Sequence, residues 1–170
     1  MPHRHTTKIE VAERFERLLK SKLPDFESRI YWVIDDRPPA GAIRDVELVT
    51  FCFTGGHFDH PNQVGNVLEY EGTIHVRVWS TNYSDQDGED RELLVAEPHG
   101  LYRVQNKVLL MFDNYLDDGN ATDPILIEGM KVLSDAASKE TVDDDIGDGF
   151  CGVLSVDFAV NFGWDLTADD

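Results

Sequence analysis

His57, Asp59 and His60 are the first candidates for chemistry, because neutral imidazoles and a carboxylate can share one zinc or iron ion. They sit in Gly55-Gly56-His57-Phe58-Asp59-His60-Pro61-Asn62, where glycine and proline give no helical support and no third partner follows, so the competing reading is a contact-forming loop. Two carboxylate runs invite a hard cation: Asp85, Asp87, Glu89 and Asp90 in one, Asp143, Asp144, Asp145 and Asp148 in the other. A calcium loop of the EF-hand kind needs glycine at position 6 and glutamate at position 12, but counting from Asp85 puts glycine at position 4 and Ala96 at position 12. Both runs therefore read as solvated acidic turns. For nucleophilic catalysis Cys151 and Ser155 stand in a strand-like context without a nucleophile elbow. Gly55-Gly56 leads into His and Phe with no phosphate-binding lysine. No catalytic residue, metal or cofactor is expected. Arg77 beside Trp79 has the residue types of an interface anchor, and a covering loop over that tryptophan is the alternative.

The elements that would position these residues follow from periodicity. Thr7 and Glu10 form a capping-box pair, and Ile9, Ala12, Phe15, Leu19 and Leu23 recur at helical spacing, which predicts a helix over 7–22 with Glu13, Arg14, Arg17 and Lys20 near its wet side. Ile30–Ile34 reads as a short strand and Asp36-Arg37-Pro38-Pro39 as a turn. Val46–Phe53, apolar on both faces, reads as a central strand. Leu68–Trp79 alternates, with Leu68, Tyr70, Ile74, Val76 and Val78 inward and Trp79 outward and exposed. A second helix is predicted from Glu97-Pro98, with Leu101, Val104, Val108, Met111 and Tyr115 as its buried stripe. Ile125–Leu133 is a predicted strand, 135–148 a predicted acidic loop, and Val153–Trp164 a closing half-buried strand. The expected fold class is α+β: two helices packed on a mostly antiparallel or mixed sheet in one domain over 1–170, with a core over 7–165 and long loops at 54–67 and 135–150.

Composition limits the partners. The 170 residues carry a formal net charge of −18, which disfavours binding to nucleic acid or an anionic membrane. Residues 1–80 hold 12 acidic and 10 basic groups, net −2, whereas residues 81–170 hold 21 and 5, net −16. Solubility, salt adaptation and a surface that rejects DNA all remain open as reasons for this unevenness. Cys52 and Cys151, each in an apolar strand-like setting, are expected to be buried free thiols. The start lacks the apolar stretch of a signal peptide and no run approaches a membrane span, so an intracellular protein, or one assembled inside a cell, is expected.

The order of helix, strands, long strand, helix and closing strand pair, carried by Thr7–Lys22, Leu68–Trp79, Leu101–Leu116 and Val153–Trp164, resembles the tail terminator (tail completion) proteins of long-tailed bacterial and archaeal viruses. The resemblance implies a tail-terminator-like fold with no catalytic motif, and a homo-oligomeric ring, usually of six copies, that caps the tail tube and joins it to the head-neck connector. It implies a virion protein at the tail-neck junction, assembled in the host cytoplasm, with DNA passing through rather than being bound specifically. In that setting Asp85, Asp87, Glu89, Asp90, Asp143, Asp144, Asp145 and Asp148 are expected to face the channel or a neighbouring ring. Arg77, Trp79, His57, Phe58 and His60 are expected at subunit contacts, with Leu68–Trp79 as an edge that pairs between copies. Another head-tail connector or tail-tube protein, or a cellular ligand-binding α/β domain, is the alternative.

Overall fold

The computed structural model describes residues 7–43, 47–58, 65–81, 90–111, 129–144 and 147–167. The first helix, α1 (Lys8–Lys22), begins where the sequence says it should. Thr7 Oγ1 accepts from the Glu10 amide at 3.2 Å and Glu10 Oε2 accepts from the Thr7 amide at 3.1 Å, so two otherwise orphaned donors are satisfied. The helix closes with the Leu23 amide on Leu19 O and is followed by a 3-10 turn, Pro24–Arg29. Five strands then form one sheet: β1 (Ile30–Trp32), β2 (Leu48–Phe58), β3 (Val67–Trp79), β4 (Gly129–Asp144) and β5 (Gly147–Asp165). Between β3 and β4 lie α2 (Asp90–Val95) and α3 (Leu101–Leu109). The sheet order is β1-β2-β3-β5-β4, with β1 parallel to β2 and the other pairs antiparallel. The fold class is therefore α+β on a mixed sheet.

Alternation decides the two faces. On β5, Leu154, Val156, Phe158, Val160 and Phe162 are buried, and across the register they meet Val78, Val76, Ile74, Gly72 and Tyr70 of β3. Onto this face pack Val11, Phe15, Leu18 and Leu19 of α1, Phe26, and Leu101, Val104 and Val108 of α3. The Phe15 ring meets Phe158 edge-on at 5.7 Å and Phe51 at 5.6 Å. Each such fully buried side chain contributes about 1.5–3 kcal/mol of transfer free energy. The opposite face carries no helix among the described residues. The segment 33–43 crosses part of it, closing a smaller cluster of Ile43, Leu48, Trp79, Cys151 and Val153.

Several expectations give way here, each for a physical reason. Leu68–Trp79 is not an edge: β3 bonds β2 on one side and β5 on the other, so it has no unpaired backbone left for a neighbour. Among the described residues the edges are β1 and β4. Trp79 is 3% exposed, because the 33–43 segment covers it. Strand β2 runs on through Gly55 and Gly56 to Phe58, so the loop predicted over 54–67 is shorter at its start. A bulge between Phe53 and Gly55, where Gly55 takes φ 135°, resets the register, and a Cβ on Gly56 would lie 2.3 Å from Glu71 O. The acidic loop predicted over 135–150 is a hairpin: β4 and β5 pair from Gly129↔Asn161 down to Asp144↔Gly147, with a bulge between Val132 and Ser134. The second helix starts at Leu101 after a cis Glu97–Pro98 bond, and a short helix, α2, precedes it. Arg14 is buried and Ile9 half exposed, so the inward stripe of α1 is rotated toward Val11 and Leu18.

Phe158 stands at the centre of this packing. Phe158→Ala is expected to lower unfolding free energy by about 3–5 kcal/mol, whereas Ile9→Ala on the wet side of α1 costs less than about 0.5 kcal/mol. Urea unfolding followed by tryptophan fluorescence checks both values.

Candidate functional site

Period-2 alternation sends the polar residues of β3 and β5 to the helix-free face, and the register lines them into rows. Cys52, His75, Asp157 and Ser134 form one row across β2, β3, β5 and β4. His75 Nδ1 is hydrogen-bonded to Asp157 Oδ1, whose other oxygen accepts from Ser134 Oγ at 3.0 Å. From the covering segment, Asp36 Oδ1 accepts from the Cys52 thiol at 2.8 Å, and Asp36 Oδ2 lies 4.0 Å from His75 Nε2. The next row supplies Arg77. Its Nη1 donates to Asp36 O at 3.1 Å, its Nη2 donates to Glu140 Oε1 at 2.7 Å, and its guanidinium lies 4.5 Å from the centre of the Trp79 ring. Trp79 Nε1 in turn donates to Thr50 Oγ1 at 3.0 Å. One polar network thus ties the covering segment to four strands.

By residue type this cluster contains a thiol, an imidazole and a carboxylate, the parts of a nucleophilic triad. Its geometry does something else. The Cys52 thiol gives its hydrogen to Asp36, and its pKa is pushed up to about 12, by burial first and then by the Asp36 carboxylate. A thiol held protonated at neutral pH is a poor nucleophile. Cys151 is also pushed up to about 12 by burial, and both cysteines are free and buried. Among the described residues no three His, Cys, Asp or Glu side chains are placed to hold a metal ion. The arrangement acts as a staple that fixes strand register and holds the 33–43 segment down.

The residues singled out in the sequence are dispersed. His57 is exposed on the far end of β2, and Phe58 lies beside it, its ring stacked on Trp164 at 5.9 Å. Asp59 and His60 lie outside the described residues, as do Asp85, Asp87, Glu89 and Asp145. Asp90 opens α2, where it pairs with Lys139 of β4 at 3.1 Å. Asp143 and Asp148 are register partners at the β4–β5 turn, and Asp144 pairs with Gly147. Arg77 and Trp79 meet each other and are spent inside the subunit. The convergence of Asp36, Cys52, His75 and Asp157 depends on which strands are neighbours and is not carried by local spacing; the legible signal is that His75 and Asp157 both fall on the polar side of strongly alternating strands.

Glu140 gives the network a pH signature. Burial works against its charged form, but hydrogen bonds from Ser138 and Arg77 and the charges of Arg77 and Arg37 outweigh this and leave its pKa below the ordinary 4.5. A folded-state value lower than the unfolded one means that the pair stabilises the fold above pH 4.5 and loses that contribution as pH falls through the depressed value. Glu140→Gln is expected to remove this part of the acid-side slope in urea midpoints taken from about pH 6 down to about pH 3. A second expected outcome concerns the thiols: neither cysteine reacts with a maleimide in the native chain near neutral pH, and both react after denaturation, as counted by mass spectrometry.

No protein-family model and no curated protein matches this chain. Among the solved structures it is similar to is one described as the sheath/tube terminator, in the extended state, of an extracellular contractile injection system, PVC, with 14% identity and a TM-score of 0.47. The match covers 97% of this chain and 58% of that one, so the chain spans little more than half the length of this neighbour.

Proposed function

We propose that this chain is a structural subunit that works as a closed ring, in the tail-terminator role that its order of elements resembles. The observation that carries the reading is the finish of its sheet. Helices cover one face, yet among the described residues β1 at one end and β4 at the other each bond on one side only. A ring needs a heterologous contact, in which one patch of a subunit meets a different patch on the next, and two unlike open edges meet that need. The distribution of charge supports the same reading. A chain of net −18, with −16 of it in residues 81–170, repels phosphates, which suits a wall past which DNA must slide.

In this reading six copies cap a finished tail tube and contact the head-neck connector, within a particle whose parts assemble in a host cell. Asp90, Asp143, Asp144 and Asp148, with Asp85, Asp87, Glu89 and Asp145 from beyond the described residues, face the channel or the adjoining ring. DNA passes through the ring without being bound specifically, and the subunit turns over no substrate. Native mass spectrometry of the purified full chain is expected to give one closed oligomer, and negative-stain images a ring with a central opening. A monomer persisting at micromolar concentration overturns the proposal, and a ring with both acidic segments on its outer wall overturns the channel assignment.

A further inference from the structure

At the Val67 end of β3 the helix-covered face is built of aromatic rings. Tyr70 of β3 stands between Phe58 of β2 and Phe162 and Trp164 of β5, whose ring centres lie 5.0, 5.3 and 5.2 Å from its own. The Tyr70 and Trp164 planes cross at 78°, so the two rings form adjoining walls of a corner. Phe53 supplies a third wall. Glycine makes room for this arrangement: Gly56 and Gly72 are register partners, and a Cβ on Gly72 would lie 2.6 Å from Tyr70 Cε1 and 3.0 Å from Phe53 Cε1. Both rings therefore lie against bare backbone.

A cation occupies the corner. Lys8, the first residue of α1, holds its ammonium 4.7 Å from the centre of the Phe53 ring and 5.7 Å from those of Tyr70 and Trp164. All three distances fall inside the ~6 Å over which the negative face of a ring attracts a cation. Among the described residues no carboxylate pairs with this ammonium and no acceptor takes a hydrogen bond from it. Lys8, Phe53 and Trp164 are each half-buried and Phe58 beside them is 37% exposed, so the corner opens to solvent.

A lysine fits this corner poorly in two respects. Its N–H groups need acceptors that ring faces supply only weakly, and a positive charge in the first turn of a helix opposes the macrodipole. The start of α1 does not depend on it, because Thr7 and Glu10 satisfy the cap and Val11 and Phe15 bury the inward face. An ammonium whose hydrogens are replaced by methyl groups has no donor to leave unsatisfied and gives the rings more apolar contact.

We propose that Phe53, Tyr70 and Trp164 form a binding site for a quaternary ammonium group, which Lys8 of the same chain fills until such a ligand displaces it. The ligand class is a trimethylammonium head, free as in choline or carried on a phospholipid. The flexible four-carbon stem lets the Lys8 ammonium swing out to water while α1 stays in place. The site is independent of the ring reading, because it lies within one subunit and needs no second copy.

The test uses the full chain with tetramethylammonium as the probe, its binding followed by proton NMR of the methyl line. The parent is expected to bind weakly and saturably, and Lys8→Ala to bind on the order of 10-fold tighter because the competing ammonium is gone. Adding Trp164→Leu to Lys8→Ala is expected to remove that gain; Phe53→Leu takes its place should the circular dichroism of the first depart from that of the parent. Choline is expected to displace the probe and its uncharged carbon analogue to leave it bound, which separates attraction of the charge from apolar burial. Sedimentation of the Lys8→Ala chain with phosphatidylcholine vesicles, reversed by free choline, assigns the head to a lipid, and no sedimentation assigns it to a soluble ligand. Failure of Lys8→Ala to bind the probe saturably, or equal displacement by the uncharged analogue, overturns the site. Equal affinity of the parent and Lys8→Ala overturns the displacement of Lys8. None of these readouts is the oligomeric state, so the ring reading stands or falls separately.

Discussion

The register between β3 and β5 is the constraint on which the rest depends. It runs unbroken from Val67↔Asp165 to Trp79↔Val153, and two unrelated sets of forces fix it together. On the helix-covered face it buries Phe158, Val156 and Phe162 against α1 and α3; on the other it sets His75 beside Asp157. A slip of one residue would turn Phe158 to the polar side and push Asp157 under the helices. Losing a buried phenylalanine and burying an uncompensated carboxylate both cost several kcal/mol, so the two faces reject the same error.

From that register follows an asymmetry that organises the molecule. The helix-covered face is continuous and apolar from β1 to β5, whereas the other has an apolar corner around Trp79 and a polar middle. Segment 33–43 covers the corner, and the polar middle holds that segment through Asp36, which accepts the Cys52 thiol and offers its carbonyl to Arg77. Burial first, and then this same contact, push the thiol pKa up and so disfavour the thiolate. Structural and chemical roles compete for Cys52, and the structural one prevails because burial and a neighbouring carboxylate both disfavour the thiolate.

Features that depend on local spacing were legible in the sequence. The Thr7–Glu10 capping box, the two faces of β5, the burial of Leu101, Val104, Val108 and Met111 along the predicted stripe, whose last member Tyr115 lies outside the described residues, and the burial of both cysteines can each be read from residues a few positions apart. Features that depend on which strands are neighbours were hidden. Trp79 looked exposed because alternation places it outward on β3, and nothing nearby announces that residues forty positions earlier cover it. The acidic run after Asp135 looked like a loop because carboxylates are poor strand formers, yet the ladder to β5 overrides that preference and continues down to Asp144↔Gly147. Gly55-Gly56 looked like a break and is a bulged strand, since the close approach of Glu71 and Tyr70 leaves no room for a Cβ at Gly56. The polar row lay in plain view as residue types and invisible as a cluster.

Among the described residues β4 is the longer of the sheet's two open edges. A long open edge invites indiscriminate pairing, and natural sheets blunt such edges with charges and bulges. Here Lys131, Asp135 and Lys139 and the bulge after Val132 are of that kind. Lys131 and Lys139 stand on this strand among Asp135 and Glu140, so the edge presents charges of both signs to any strand that approaches it.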